Sequence, residues 1–414
     1  MNPLAKLIRL HDALYRFYVL VPGFKPIKAY TNWLYANYQM MRQTSRVSAK
    51  PLKLNVEPTN ACQLRCPLCP TGLQIMDRSW SNIKPDIYKQ LLDEVGDYVF
   101  FIDFHNWGEP LLNNQLEDFL LLARKKNIST TVSTNFSLKV TDERLRKIIS
   151  SGLNHIIVSL DGASAETVSI YRRNMNFDLV VKNMRNLVAM KQEMNSKTPY
   201  ITWQFLVFRF NEHELENAQN MSREIGVDRL TFSRASLDEA IYPMPDKDRA
   251  EIKTWIPTNP ALTSYDYDNA KSNPGAPLKL KSCKNSKRCD WLYMSSAINS
   301  DGSIAPCCAV YKQKDNFGLF DSSTNRSYMD ILNNERYRSI RDRFAGRNTE
   351  FQGVICESCS NGELKGYAAG LNRIIILGIC AKLIYSLLGP VVRFFCNIFG
   401  HKPSKTLTAI QWPE

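Results

Sequence analysis

Histidine is scarce in this chain: five in 414 residues, none within 30 residues of Cys69. The nearest, His105, belongs to another element. A mixed Cys/His zinc knuckle around Cys62, Cys66 and Cys69 therefore lacks its imidazoles. The same run, Cys62-x3-Cys66-x2-Cys69, also lacks a fourth cysteine. Acid is scarce at both ends. Residues 1–50 hold eight Lys/Arg against Asp12 alone, a net +7, and residues 365–414 hold six against Glu414 alone, a net +5. Of the total +13, that leaves +1 for the middle of the chain. Positive charge confined to two apolar ends points to an anionic membrane surface and makes a nucleic-acid partner unexpected; solvated basic tails are the plain alternative. No long apolar run is unbroken. Residues 374–399 contain Lys382 near the centre and then Gly389-Pro390, which is expected to bend a helix. Lys382, Ser386, Arg393 and Asn397 share one helical face, the pattern of an interfacial helix; docking on the protein's own core or in a dimer interface is the alternative. A secretory signal peptide is not evident. The eleven cysteines are thus expected in a reducing cytosol as metal ligands rather than disulfides.

From Leu52 to about Ala235 the chain alternates strands and helices. Strands are expected over 52–56, 98–104, 129–133, 155–160, 201–208 and 229–232. Helices are expected near 85–95, 116–126, 142–151, 177–194 and 212–225, with Thr141 capping the third and Gly152 ending it. Six such units imply a parallel sheet with right-handed crossovers, too few for a closed eight-stranded barrel. The fold class is α/β: a partial (βα)6 barrel followed by a small β-hairpin/helix domain. Active sites in such barrels lie at the C-terminal ends of the strands. There the sequence puts the cysteine loop, Trp107-Gly108-Glu109-Pro110, Ser133-Thr-Asn135 and Ser159-Leu-Asp161-Gly162. His105, at the end of strand two, is expected to be structural.

Three thiolates can hold three irons of a cubane and leave the fourth open to another ligand. The segment Glu57-Pro-Thr-Asn-Ala-Cys62-Gln-Leu-Arg-Cys66-Pro-Leu-Cys69 resembles the signature of the radical S-adenosylmethionine (SAM) enzymes. The resemblance implies a (βα)6 core, a 4Fe–4S cluster on Cys62, Cys66 and Cys69, and SAM chelated at the open iron. It also implies reductive cleavage of SAM to a 5′-deoxyadenosyl radical that abstracts a substrate hydrogen, with flavodoxin or ferredoxin as reductant. Gly108-Glu109 matches the place of the family's Gly-Gly-Glu segment for the SAM amino group, with Trp107 in place of the first glycine. Ser133, Asn135, Ser159 and Asp161 resemble the contacts to ribose and carboxylate. Arg172 resembles the basic partner of the methionine carboxylate, and Gln204 and Asn211 lie where the family holds the nucleoside. Capping or structural roles are the alternative for each.

Later, Cys289, Cys307 and Cys356-x2-Cys359 frame a turn, Asn299–Pro306, with Asp301-Gly302 at its tip. They resemble the short, single-cluster form of the SPASM domain, called Twitch, and imply an auxiliary 4Fe–4S cluster that takes an electron from the substrate radical. A four-cysteine zinc site is the alternative. Cys283 and Cys308 are left over, and Cys380 and Cys396 are expected to be apolar fillers of the tail. The expected domains are a basic N-terminal segment (1–50), the core (51–235), a linker or lid (236–282), the auxiliary domain (283–364) and a basic apolar tail (365–414). The leading expectation is an oxidoreductase acting on a sugar or cyclitol, or on a membrane lipid or lipid-linked glycan at the inner face of the cell membrane. A ribosomal-peptide maturase is the alternative within the family, and a non-catalytic Fe–S or zinc sensor the alternative outside it.

Overall fold

The computed structural model describes residues 16–21, 23–235, 251, 254–263, 288–321, 326–347, 356, 359, 367–398 and 407–408, with side chains of the last long helix described to residue 383. Helix α1 (Ile27–Met41) precedes a regular alternation. It runs β1 (Lys53–Val56), α2 (Pro85–Val95), β2 (Phe101–Phe104), α3 (Leu116–Lys125), β3 (Ser129–Thr134), α4 (Asp142–Ser150) and β4 (His155–Ser159). Then follow α5 (Ala165–Tyr171), α6 (Phe177–Glu193), β5 (Tyr200–Val207), α7 (Leu215–Ile225) and β6 (Arg229–Arg234). The short helix α5 is unforeseen; Ser164 caps it by accepting from Thr167 N. Thr141 caps α4 through Arg144 N, and Gly152 follows that helix at φ +84°, where a side chain would be strained.

All six core strands run parallel in the order β6-β5-β4-β3-β2-β1. Helices on one face bury Leu91, Phe119, Ile148, Leu187 and Ala218 against strand residues such as Ile102, Val132, Val158 and Trp203. The sheet does not close on itself, so the barrel is open.

The second half departs from an independent domain. After α8 (Trp291–Met294), β7 (Ser295–Ile298) pairs parallel with β1, Lys53 opposite Ser295. β8 (Ser303–Ala305) returns antiparallel, with Gly302 at φ +84° in the turn, and β9 (Gly318–Leu319) follows. The hairpin lies where the turn signal put it, but it extends the core sheet. Helices α9 (Tyr328–Leu332) and α10 (Glu335–Phe344) pack behind it; Ser327 and Asp330 form a capping box.

Helix α11 (Tyr367–Ile398) runs without interruption across Gly389-Pro390. A proline removes one intrahelical bond without ending a helix whose neighbouring turns are intact. Along its first half α11 docks on the protein itself: Ala368, Leu371, Ile375 and Ala381 are buried, and Gly378 lies against Val21 where a Cβ would collide. Asn372 exchanges hydrogen bonds with Asn37 and accepts from Trp33 Nε1 at 2.6 Å. Cys380 is exposed, not a buried filler; Cys283 and Cys396 lie outside the described side chains. Strand β10 (Leu407–Thr408) pairs with β6. Among the described residues no helix is long and apolar enough to cross a membrane.

Candidate active site

The cysteine loop leaves β1 and is pinned on both sides. Thr59 Oγ1 donates to Ser81 O at 2.9 Å, and the Asn60 side chain bonds Ser79 O and Ser81 N, both at 2.8 Å. Cys69 N donates to Cys66 O and Leu73 N to Cys69 O, folding the loop onto itself. Gly72 is required there, because a Cβ would strike the backbone of Cys66. Gly108 has the same constraint against Thr59 O, which lets the β2 loop press on the cysteine loop; Glu109 N donates to Ala61 O at 2.7 Å.

Burial pushes the Cys62 thiol up to about 12, helped by the nearby Glu109 carboxylate, and Cys66 up to about 11 despite the Arg172 guanidinium. Ligation of a metal would require both as thiolates, so binding there would release their protons. Asn135 Nδ2 approaches Cys62 Sγ at 3.7 Å, and Gln63 Nε2 donates to Asn135 Oδ1 at 2.9 Å.

Glu109 is buried. Its carboxylate accepts from Thr134 Oγ1 (2.6 Å), Asn135 N (2.7 Å) and Leu111 N (3.1 Å). Burial still raises its carboxyl above the usual range. Among the described residues Oε2 accepts from Asn135 N alone, which leaves it a further acceptor site. Asp161 is buried and spends one oxygen on Leu206 N and the other on Arg172 Nε at 2.6 Å. Arg172 thus stands between Asp161 and Cys66. Ser159 pairs in register with Gln204 across β4 and β5. Ser133 is half-buried near the end of β3. Asn211 is committed structurally, donating to Asp161 O and Leu206 O and accepting from Phe208 N. His105 is half-buried: burial lowers its pKa, and among the described residues its Nδ1 has no hydrogen-bond partner. The described piece of the linker, 254–263, brings Trp255 against Tyr171, Phe208 and Phe210 beside Leu68 of the cysteine loop.

Tertiary structure brings Cys289, Cys307, Cys356 and Cys359 within electrostatic reach of one another. Burial raises Cys289 to about 12 and carries Cys307 and Cys356 higher; each is further raised by negative charge on others of the group, Cys359 included. Among the described residues no three His, Cys, Asp or Glu side chains converge as a single-ion cage would require.

Sequence reasoning missed what joins the two cysteine groups. Glu57 and Arg78 are fully buried and paired at 2.7 and 3.0 Å. Glu57 also accepts from Trp107 N and from Ser300 N and Oγ, the last two at 3.0 Å. Trp107 O accepts from Thr71 Oγ1 at 2.5 Å, while its Nε1 donates to Val310 O at 2.7 Å and its ring meets Tyr311 edge-on. The one signal available was Trp107 itself, a large aromatic where the family motif has glycine.

These features recur in known proteins. The profile of the Radical SAM superfamily matches residues 56–221, and that of the iron–sulfur cluster-binding SPASM domain matches residues 289–360. Residues 56–221 thus form a radical SAM domain and residues 289–360 a SPASM domain. Its cofactors are accordingly SAM and 4Fe–4S clusters. Among curated relatives, a PqqA peptide cyclase of Bradyrhizobium diazoefficiens is 26% identical over 53% of this chain and 54% of its own. The mycofactocin maturase MftC of Mycolicibacterium smegmatis is 27% identical over 36% of this chain and 37% of its own. The chain thus spans about half or less of the length of these two relatives. A PqqA peptide cyclase of Xanthomonas campestris is 21% identical over 80% of this chain and 85% of its own. Streptococcus suis SuiB, in a structure bound to S-adenosylmethionine, shares the fold at TM-score 0.50 and 16% identity, over 77% of this chain and 72% of that one.

Proposed function

We propose that this chain is a radical SAM peptide maturase. The observation that carries the reading is the kind of relative it matches: peptide cyclases and a maturase, in one case over most of both chains. The leading expectation of a sugar, cyclitol or lipid substrate draws no support from these relatives, and the peptide alternative takes its place. A dehydrogenase-like outcome is likewise not what their names describe.

Cys62, Cys66 and Cys69 would hold the SAM cluster in the 51–235 core. Glu109 Oε2 would receive the SAM ammonium. Gly108, Ser133, Asn135, Ser159, Asp161, Arg172 and Gln204 would surround the rest, with Arg172 held in place by Asp161. Cys289, Cys307, Cys356 and Cys359 would hold the auxiliary cluster within 283–364. When bound, these groups supply one-electron chemistry that breaks unactivated C–H bonds. The chain's own part is to exclude water and fix the ligands: Trp255, Phe208, Phe210 and Tyr171 supply an apolar wall beside the cysteine loop. Closing a cross-link between two C–H carbons removes two hydrogens. The group held by Cys62, Cys66 and Cys69 with SAM would take one as a hydrogen atom, and the group held by Cys289, Cys307, Cys356 and Cys359 would accept the electron left when the other departs as a proton. Flavodoxin or ferredoxin fits as reductant.

The test is anaerobic incubation of the iron-loaded protein with SAM, dithionite and either a pool of short peptides or a pool of sugars and cyclitols. The expected result is 5′-deoxyadenosine together with peptides lighter by two hydrogens. Conversion confined to the sugar pool would restore the dehydrogenase reading. No 5′-deoxyadenosine from fully loaded protein would favour a sensor.

A further inference from the structure

Helix α1 is apolar on its outer face as well as its inner one. A surface helix ordinarily buries its apolar stripe and shows polar residues to water. Here the inward face buries Ala29, Ala36 and Met40 in the core, with Asn32 and Gln39 buried among them. Asn32 donates to Lys50 O and accepts from Lys50 N; Gln39 accepts from Ser48 N and Ala49 N. The outward face carries Ile27, Leu34, Tyr35, Tyr38 and Met41, at offsets of 0, 7, 8, 11 and 14, exposed by 83, 62, 45, 51 and 65%. Tyr35 and Tyr38 stack at 6.1 Å, and the neighbouring Phe24 is 54% exposed. Core packing and these polar contacts already hold the helix from its inner face, so the exposed outer stripe is not needed for folding. A contiguous apolar patch of this kind marks an interaction surface.

We propose that α1 seats this protein on an anionic membrane, with its active-site mouth turned away from the lipid. Charge decides for lipid. The helix has no acidic residue, exposed Arg42 and Arg46 follow it, and residues 1–50 carry eight basic side chains against one acidic. Apolar and tyrosine side chains rimmed by arginine match the interface of an anionic bilayer. Helix α11, docked beside α1 through Asn372, adds exposed Ile376 and Leu383.

Topology sets the orientation. Tyr30 packs on Phe100, just before β2, and Lys25 Nζ donates to Gly96 O and Lys126 O, ahead of β2 and β3. Asn154, which precedes β4, bonds Val19 O. All of these lie at the N-terminal ends of the strands, and the SAM cysteine loop leaves the C-terminal end of β1. A protein lying on α1 would present its mouth to the aqueous phase. This favours a soluble substrate over a lipid in the same bilayer, and it holds whether or not the peptide reading does.

The test is co-sedimentation of the iron-loaded, full-length protein with phosphatidylglycerol vesicles and with phosphatidylcholine vesicles, together with the double variant Leu34→Glu/Tyr38→Glu. Both positions are exposed, so the thermal midpoint is expected to hold. Wild type should pellet with phosphatidylglycerol alone, and less so at high salt. The double variant should bind at least tenfold more weakly, and Leu121→Glu, an exposed leucine on α3, should bind like wild type. On vesicles, trypsin should lose its cuts at Arg42 and Arg46 while still cutting at exposed Lys139, in the loop that follows the C-terminal end of β3. Wild type left in the supernatant, or a double variant that pellets equally, overturns the proposal. So does a wild-type dimer in light scattering that the double variant splits, since a second copy would then cover the stripe. Protection of Lys139 together with Arg46 overturns the orientation.

Discussion

Two groups of cysteines are proposed to hold iron in this chain, and they are built differently. Cys62, Cys66 and Cys69 lie on one loop, folded onto itself by Cys69 N to Cys66 O and pinned by Asn60 and Thr59. Cys289, Cys307, Cys356 and Cys359 come from separate segments and depend on β7 joining β1 and on α9 and α10 packing behind the hairpin. Tyr337 OH donates to Ala305 O, and the buried Arg341 guanidinium donates to the carbonyls of Leu292 and Leu332. A local site needs a strand to start from, whereas a dispersed site needs the whole sheet. The two meet in the contacts of Glu57, Arg78, Trp107 and Ser300.

The largest effect should separate the two groups outright. Cys66→Ala is expected to abolish 5′-deoxyadenosine formation, whereas Cys356→Ala should keep SAM cleavage and lose roughly one 4Fe–4S cluster of iron. Iron analysis and product assay on both variants check this; equal loss of SAM cleavage in both would mean that the groups are not separable. Next comes the junction. Arg78→Met strands the Glu57 carboxylate in the interior, and breaking a buried pair costs about 3–5 kcal/mol. Calorimetry should show a marked drop in thermal midpoint, with iron loading reduced at both sites; an unchanged midpoint would remove the junction from the account. The smallest effect concerns one hydrogen bond. Trp107→Phe leaves Val310 O without its donor at a cost of about 1–3 kcal/mol. Amide hydrogen exchange should rise across residues 307–311 and stay unchanged across 116–125. Equal exchange in both segments would show that Trp107 does not hold the auxiliary loop.

Much of the core was legible because its signals are short in range. Alternating apolar runs marked the six strands, the Thr141 cap and Gly152 bounded α4, and the cysteine spacing announced its own loop. Element ends drifted where turns compete with regular structure: the helix expected from Glu212 begins at Leu215, after a 3-10 turn over Glu212–Glu214. The role of Glu57 was not legible, because its partners stand 21, 50 and 243 residues away. Nor was α1, whose buried Asn32 and Gln39 find their partners in the backbone of residues 48–50 while an apolar outer stripe stays exposed. The tail was read as a membrane-surface helix from its composition; its first half instead found Val21 and Asn37 to pack against.

By itself, the sequence determined the parallel α/β core, the SAM cysteine loop and the strand-end positions of Glu109, Asn135 and Asp161. Hydrophobic period, turn chemistry and ligand spacing act over a few residues and can be read without a partner. Tertiary structure alone decided that the auxiliary hairpin continues the core sheet, that Glu57 and Trp107 tie the two cysteine groups together, and which helix face remains in water. Those outcomes depend on burial, and burial belongs to the assembled chain: a carboxylate or a tyrosine stripe acquires its role from what the rest of the fold covers or leaves exposed.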